Sequence, residues 1–203
     1  MSLKKTGAVL AAAGLSSRMK AFKPMLPFGG TTISRHLAAL IKSLGVNPVV
    51  VVTGYRGEEL ENHLSAEGVR FVRNERFRES QMFESVKLGI QSVLGECERV
   101  LIMPMDLPAI QPETFEQVLN TDGRAVRTSC AGEPGHPLMV DAALAAQLCR
   151  YEGEGGLRGA IEHSGVPVTE VEVDDVGVFR DVDTGEEYQK LLVELLRQDS
   201  KAG

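Results

Sequence analysis

Residues 7–23 read Gly-Ala-Val-Leu-Ala-Ala-Ala-Gly-Leu-Ser-Ser-Arg-Met-Lys-Ala-Phe-Lys, and the change of character inside this stretch decides the fold. Gly7 to Ala12 is short and apolar throughout, the pattern of a strand covered on both faces. Beyond it the chain turns to one glycine, two serines and the cations Arg18, Lys20 and Lys23. In open α/β sheets, ligands sit beyond the carboxyl ends of strands, and backbone N–H groups with Arg and Lys side chains hold phosphates. A short basic cluster alone reads as a solvated loop. Its place directly after the first buried strand favours a binding loop instead.

Working outward, strand and helix signals alternate. Thr31 or Thr32 can cap a helix whose apolar residues Ile33, Leu37, Leu40, Ile41 and Leu44 share a face, with Gly45 as its stop. Pro48 to Thr53 is a β-branched run. Residues 58–64 and 83–94 read as helices, and residues 69–73 and 100–103 as strands. After Asp106 the spacing predicts a helix from Pro112, strands at 124–129 and 138–140 around a Gly/Pro loop at 131–137, a strand at 166–173 and a helix at 186–197. Such alternation with short connections implies right-handed crossovers. The expected fold is α/β: a doubly wound, mostly parallel sheet with helices on both faces. Residues 1–197 read as one domain and residues 198–203 as a polar tail.

Composition excludes several classes. Hydrophobic residues at 43% and charged residues at 25% fit a soluble protein rather than a disordered or membrane one. A net charge of -6, with 5% aromatics and no Trp, argues against nucleic-acid binding. No apolar run reaches bilayer length, so no membrane partner is expected. Cys97, Cys130 and Cys149 form no C-x-x-C pair, which suits reduced thiols and a cytoplasmic location. Neither G-x-x-x-x-G-K-[ST] nor G-x-G-x-x-G follows the first strand, so kinase, ATPase and dehydrogenase readings lose their signatures.

Three further features bear on chemistry. Asp106 ends the apolar run Val-Leu-Ile-Met-Pro-Met, opposite the basic loop. Magnesium takes oxygen ligands and is commonly held by one or two carboxylates plus substrate phosphates, while a turn before Pro108 is the plainer reading of this aspartate. Asp181 and Asp183 alternate, so in extended chain both point to one side, where either can join Asp106. The competing reading has Asp183 or Thr184 capping the last helix. His36, His63 and His163 read as surface or turn residues; His136 lies in Gly-His-Pro, a constrained segment that can border a pocket.

Taken in order, Ala12-Ala13-Gly14-Leu15-Ser16-Ser17-Arg18-Met19 followed by Lys23-Pro24 resembles the signature loop of the MobA-like nucleoside-triphosphate transferases. Met105-Asp106-Leu107-Pro108, Gly135-His136-Pro137, Gly155 to Ala160 and Asp181-Val182-Asp183-Thr184 are similar to the molybdenum cofactor cytidylyltransferase branch. The resemblance implies a nucleotide-diphospho-sugar transferase-like fold and magnesium-dependent transfer of a nucleoside monophosphate, CMP from CTP, to a phosphorylated acceptor such as molybdenum cofactor, with release of pyrophosphate. It implies that Ala12, Ala13, Gly14, Leu15, Ser16, Lys20 and Asn74 bind the nucleotide, and that Arg18 and Lys23 bind its phosphates. Asp106 would hold magnesium with Asp181 or Asp183, and Ser85 and His136 would border the substrates. Lys20 stands where the family has glycine, and Ser80 to Ser85 replaces a smaller, Ser-rich stretch. A sugar-phosphate nucleotidyltransferase, a glycosyltransferase using a nucleotide sugar and a non-catalytic nucleotide or cofactor-binding protein are the alternatives.

Overall fold

The computed structural model describes residues 4–14 and 21–202, with side chains described to residue 195. The first strand, β1 (Thr6–Ala11), lies in the middle of a seven-stranded sheet because all six of its residues can be buried. Its parallel neighbours are β4 (Val49–Thr53) on one side and β6 (Arg99–Pro104) on the other. Beyond β4 lies β5 (Arg70–Arg73), also parallel. Beyond β6 come β8 (Glu133–Asp141), β7 (Ala125–Cys130) and β9 (Val168–Glu172), giving the order β5-β4-β1-β6-β8-β7-β9. Only the β6–β8 and β7–β8 pairings of this sheet are antiparallel. The chain first builds outward from β1 through β4 and β5, then returns to its other flank at β6. That reversal opens a crevice past the carboxyl ends of β1 and β6.

Alternate residues of the central strands feed two cores. Ala8, Leu10, Val49, Val51, Leu101 and Met103 face α1 (Ile33–Ser43), α2 (Gly57–Leu64), α4 (Pro112–Asn120) and α7 (Gly185–Ala202). Val9, Ala11, Val50, Val52, Val100 and Ile102 face α3 (Met82–Gln91), α5 (Ala142–Cys149) and α6 (Gly156–Ser164). The doubly wound α/β fold expected from the sequence is therefore the one observed. Thr32 caps α1, its side chain accepting from the Arg35 amide. α7 continues to Ala202, through the stretch read as a polar tail.

Three elements differ from the sequence reading. The Gly/Pro stretch at 131–137 is not a loop: only Ala131 and Gly132, both at positive φ, turn the chain, and Gly135-His136-Pro137 lies within β8. Prolines are tolerated there because β6 pairs with β8 only from Leu138 onward, leaving the Pro134 end bonded on one side. Helices α5 and α6 fill the interval between the strands expected at 138–140 and 166–173, to which the sequence reading gives no element, α5 being capped by Asp141 through the Leu144 amide. A hairpin of β2 (Pro27–Phe28) and β3 (Thr31–Thr32), turned by Gly29-Gly30 at positive φ, ends the basic loop.

Gly89 shows how closely α3 lies on the sheet. A Cβ there would fall 2.3 Å from Val9 Cγ1 and 2.8 Å from Val52 Cγ2. Helix propensity alone favours alanine by about 1 kcal/mol, but overpacking a filled core costs about 1–3 kcal/mol. Gly89→Ala is expected to destabilise the protein by about 1–2 kcal/mol, seen as a lower urea midpoint at unchanged m-value. A stabilised variant would refute this packing.

Candidate active site

β6 runs into Met105 and Asp106, and the Met105 amide bonds the Ala11 carbonyl at 3.0 Å, so Asp106 emerges beside the end of β1. The Val182 amide donates to the Asp106 carbonyl at 3.1 Å, and the Val182 side chain is buried at 1% exposure. With Val182 inside, Asp181 and Asp183 project the other way. One carboxylate oxygen from each of Asp106, Asp181 and Asp183 lies within 4.8 Å of the others. The choice of cap is also resolved: Thr184 Oγ1 accepts from the Glu187 amide at 3.2 Å and the Thr184 amide donates to Glu187 Oε2 at 2.7 Å. This capping box at the start of α7 leaves both aspartates facing Asp106.

Lys23 opens a 3-10 turn, Lys23–Met25, and its side chain is only 10% exposed. Its ammonium donates to Asp183 Oδ1 at 2.5 Å and to Asp106 Oδ2 at 3.1 Å. Burial by itself would lower the Lys23 pKa, but hydrogen bonds to Asp183 and Asp106 and their negative charges outweigh it and hold the group above its ordinary value. The Asp181 carboxyl is pushed above the usual range by partial burial and by the charges of Asp183 and Asp106, with Lys23 opposing.

On the nucleotide side, Ala12 and Ala13 are buried and Gly14 is exposed. The Ala12 amide bonds the Val52 carbonyl at 2.9 Å. Leu15, Ser16, Arg18 and Lys20 lie outside the described residues. Asn74, just past β5, is buried at 4% exposure. Its amide nitrogen donates to Ser80 Oγ and Ser85 Oγ, both at 2.9 Å, and its oxygen accepts from the Arg76 amide at 3.0 Å. Asn74 and the buried Ser85 thus anchor the turn before α3. Met82, 49% exposed, extends from that turn toward Gly14.

A cavity of about 690 Å³ opens beside the carboxylates, with Asp106 and Asp181 at its edge. Leu138, Leu157, Ile161 and Val178 supply apolar wall, and Arg127, His136 and Arg158 supply polar groups. His136 is half-buried, and burial holds its pKa below the ordinary value, so the ring is neutral at pH 7. Of this lining the sequence marks Asp106, Asp181, His136 and the Gly-Leu-Arg-Gly stretch with Leu157 and Arg158. Arg127, Leu138, Ile161 and Val178 carry no such signal, because they come from β7, β8, α6 and the 3-10 turn Val176–Phe179.

The lysine and the carboxylates meet past the ends of adjacent parallel strands, where open α/β sheets bind their ligands. Residues 7–169 match the MobA-like NTP transferase domain, and the chain belongs to that family. The molybdenum cofactor cytidylyltransferase of Escherichia coli (strain K12) is 27% identical over 187 residues, which cover 89% of this chain and 92% of the relative. A nucleotidyl transferase from Methanothermobacter thermautotroptrophicus superposes with a TM-score of 0.83 at 26% identity, covering 96% of this chain and 99% of that one. The CTP:phosphocholine cytidylyltransferase of Streptococcus pneumoniae shares the fold, with a TM-score of 0.71 at 14% identity over 94% of this chain and 99% of that one. Among the described residues no helix is long and apolar enough to cross a membrane.

The raised Asp181 carboxyl has a consequence for stability. A group that is more basic folded than unfolded stabilises the fold when protonated, and that contribution is lost as pH rises through the carboxylate range. Asp181→Asn is therefore expected to raise the melting temperature of the metal-free protein at about pH 8, with the gain shrinking toward about pH 4. Equal melting temperatures across that range would contradict the repulsion.

Proposed function

We propose that the chain is a magnesium-dependent cytidylyltransferase that moves CMP from CTP to a phosphorylated acceptor, molybdenum cofactor, and releases pyrophosphate, working as one domain over residues 1–197. The observation that carries this reading is the carboxylate trio with its buried lysine, two of whose carboxylates, Asp106 and Asp181, line the 690 Å³ cavity. Likeness to the Escherichia coli molybdenum cofactor cytidylyltransferase over 89% of the chain supports the choice of donor and acceptor.

The donor set suits magnesium: three carboxylates offer hard oxygen ligands, and an ammonium already stands among them as a cation. Asp106, Asp181 and Asp183 would hold the ion. Bound there, it would supply positive charge to the triphosphate and the departing pyrophosphate. Lys23, with Arg18 from the preceding loop, contributes cations to the same phosphates. Ala12, Ala13, Gly14, Leu15, Ser16 and Lys20 cradle the nucleotide, Lys20 adding a further cation where the family has glycine. Asn74 and Ser85 fix the turn that borders the base, and His136 faces the acceptor in the cavity.

An acceptor phosphate oxygen attacks the α-phosphorus in line, the bond to the bridging oxygen breaks, and pyrophosphate leaves with the electron pair. A phosphate monoester is already ionised near pH 7, with a second pKa of about 6, so the step requires no general base. His136, in the wall of the cavity, offers a polar group to orient the acceptor. Positioning and electrostatics supply the rate.

Asp106→Asn is expected to retain the parent's melting temperature within a few degrees while lowering turnover by about 100-fold or more, as expected for loss of electrostatic stabilisation at the reacting phosphate. Turnover equal to the parent at saturating magnesium would remove Asp106 from the mechanism. Pyrophosphate release measured with each of the four triphosphates should be fastest with CTP when molybdenum cofactor is the acceptor. Preference for another triphosphate, or for a sugar phosphate as acceptor, would favour the sugar-phosphate reading instead.

A further inference from the structure

The place of Lys23 bears on how the metal enters. Its ammonium bonds the same carboxylates, Asp106 and Asp183, that a divalent ion would use, and its side chain has only 10% of its surface exposed. Three carboxylates with mutually close oxygens repel one another, and the lysine is the cation seated between two of them. A dication bound by these oxygens and an ammonium hydrogen-bonded to them would be like charges about 3 Å apart, strongly repulsive in a partly desolvated site. The two cations therefore compete for one place.

We propose that Lys23 is a resident counter-cation of the carboxylate trio, which a divalent ion must displace, so that metal and triphosphate load the site together. The inference rests on the reading of the trio as a magnesium site. In the free protein the ammonium neutralises part of the carboxylate charge and keeps metal affinity low. A triphosphate carrying about four negative charges gives the ammonium a new set of oxygens to bond. Moving Lys23 from carboxylates to phosphates frees the metal ligands, and by reciprocity the bound metal then raises triphosphate affinity by the same factor. Lys23 so has two sets of partners, one in the free state and one in the loaded state, and the exchange between them couples the two ligands.

The test is direct manganese binding in the absence of nucleotide, read from the electron paramagnetic resonance signal of free Mn2+. Lys23→Met removes the ammonium while keeping an unbranched side chain of similar length. It is expected to bind Mn2+ at least tenfold more tightly than the parent, and adding Asp106→Asn should abolish that gain. A folded Lys23→Met protein that binds Mn2+ no more tightly than the parent, while both bind it, would overturn the displacement and leave the magnesium reading standing. Failure of both proteins to bind Mn2+ even with CTP would remove the magnesium reading and this inference with it. A second measurement needs no variant: acetylation of Lys23 in the parent protein, followed by peptide mass spectrometry, should rise several-fold on saturation with Mn2+. An unchanged rate under Mn2+ saturation would also overturn the proposal.

Discussion

The ammonium of Lys23 between Asp106 and Asp183 joins three stretches of chain that are far apart in sequence, and the charge balance of the site depends on it. Carboxylates this close repel, so something must hold residues 181–183 against the end of β6. Part of the restraint is apolar: Val182 and Tyr188 are buried in the same core as Phe28, Met105 and Leu107. Burying a side chain such as valine stabilises by about 1.5–3 kcal/mol. Part is hydrogen bonding: the Tyr188 hydroxyl donates to the Pro27 carbonyl at 2.5 Å and the Val182 amide to the Asp106 carbonyl at 3.1 Å. The backbone is therefore fixed by neutral contacts. This leaves the charges free to exchange partners without loosening the segment.

The wall of the cavity is built by a related device. Asp175 is buried at 5% exposure and spends its carboxylate on the Gln111 amide, the Thr114 hydroxyl and the Gly177 amide. Those bonds fix the short 3-10 turn Val176–Phe179 against α4, and the turn delivers Val178 over Gly135 of β8. A Cβ on Gly135 would lie 2.5 Å from Val178 Cγ2, so β8 must carry glycine for the wall to close. Packing thus accounts for the glycine of the Gly-His pair before any chemistry is invoked.

What could be read from the sequence was local and periodic. The strand-to-loop change at Ala12, the buried run before Asp106 and the alternation of Asp181 and Asp183 each lie within a few residues, and each holds in the structure. Gly135-His136-Pro137 misled because glycine and proline signal turns, whereas this end of β8 lacks one neighbouring strand and has no ladder bond there to lose. Helix α5 was hidden by its own composition: Ala142 to Cys149 is nearly apolar all round, so it shows little of the one-sided spacing that marks a surface helix. The rest of the cavity wall could not be read, since Arg127, Ile161 and Val178 come together only through the fold.

An acidic protein of net charge -6 that holds a triphosphate faces an electrostatic problem, and the arrangement of charge along the chain addresses it. Arg18, Lys20 and Lys23 are close neighbours in sequence, so these cations are local even though the chain as a whole is negative. The carboxylate trio works against them, since it adds negative charge beside the phosphates. On the proposed reading Lys23 neutralises part of the trio's charge when no metal is bound, and a divalent ion among the same oxygens would neutralise more of it. The same three aspartates would thus repel the phosphates less when they hold a divalent ion than when they hold the lysine alone. A site built this way is most favourable to the triphosphate when the metal is present, which matches occupancy to the chemistry the site has to perform.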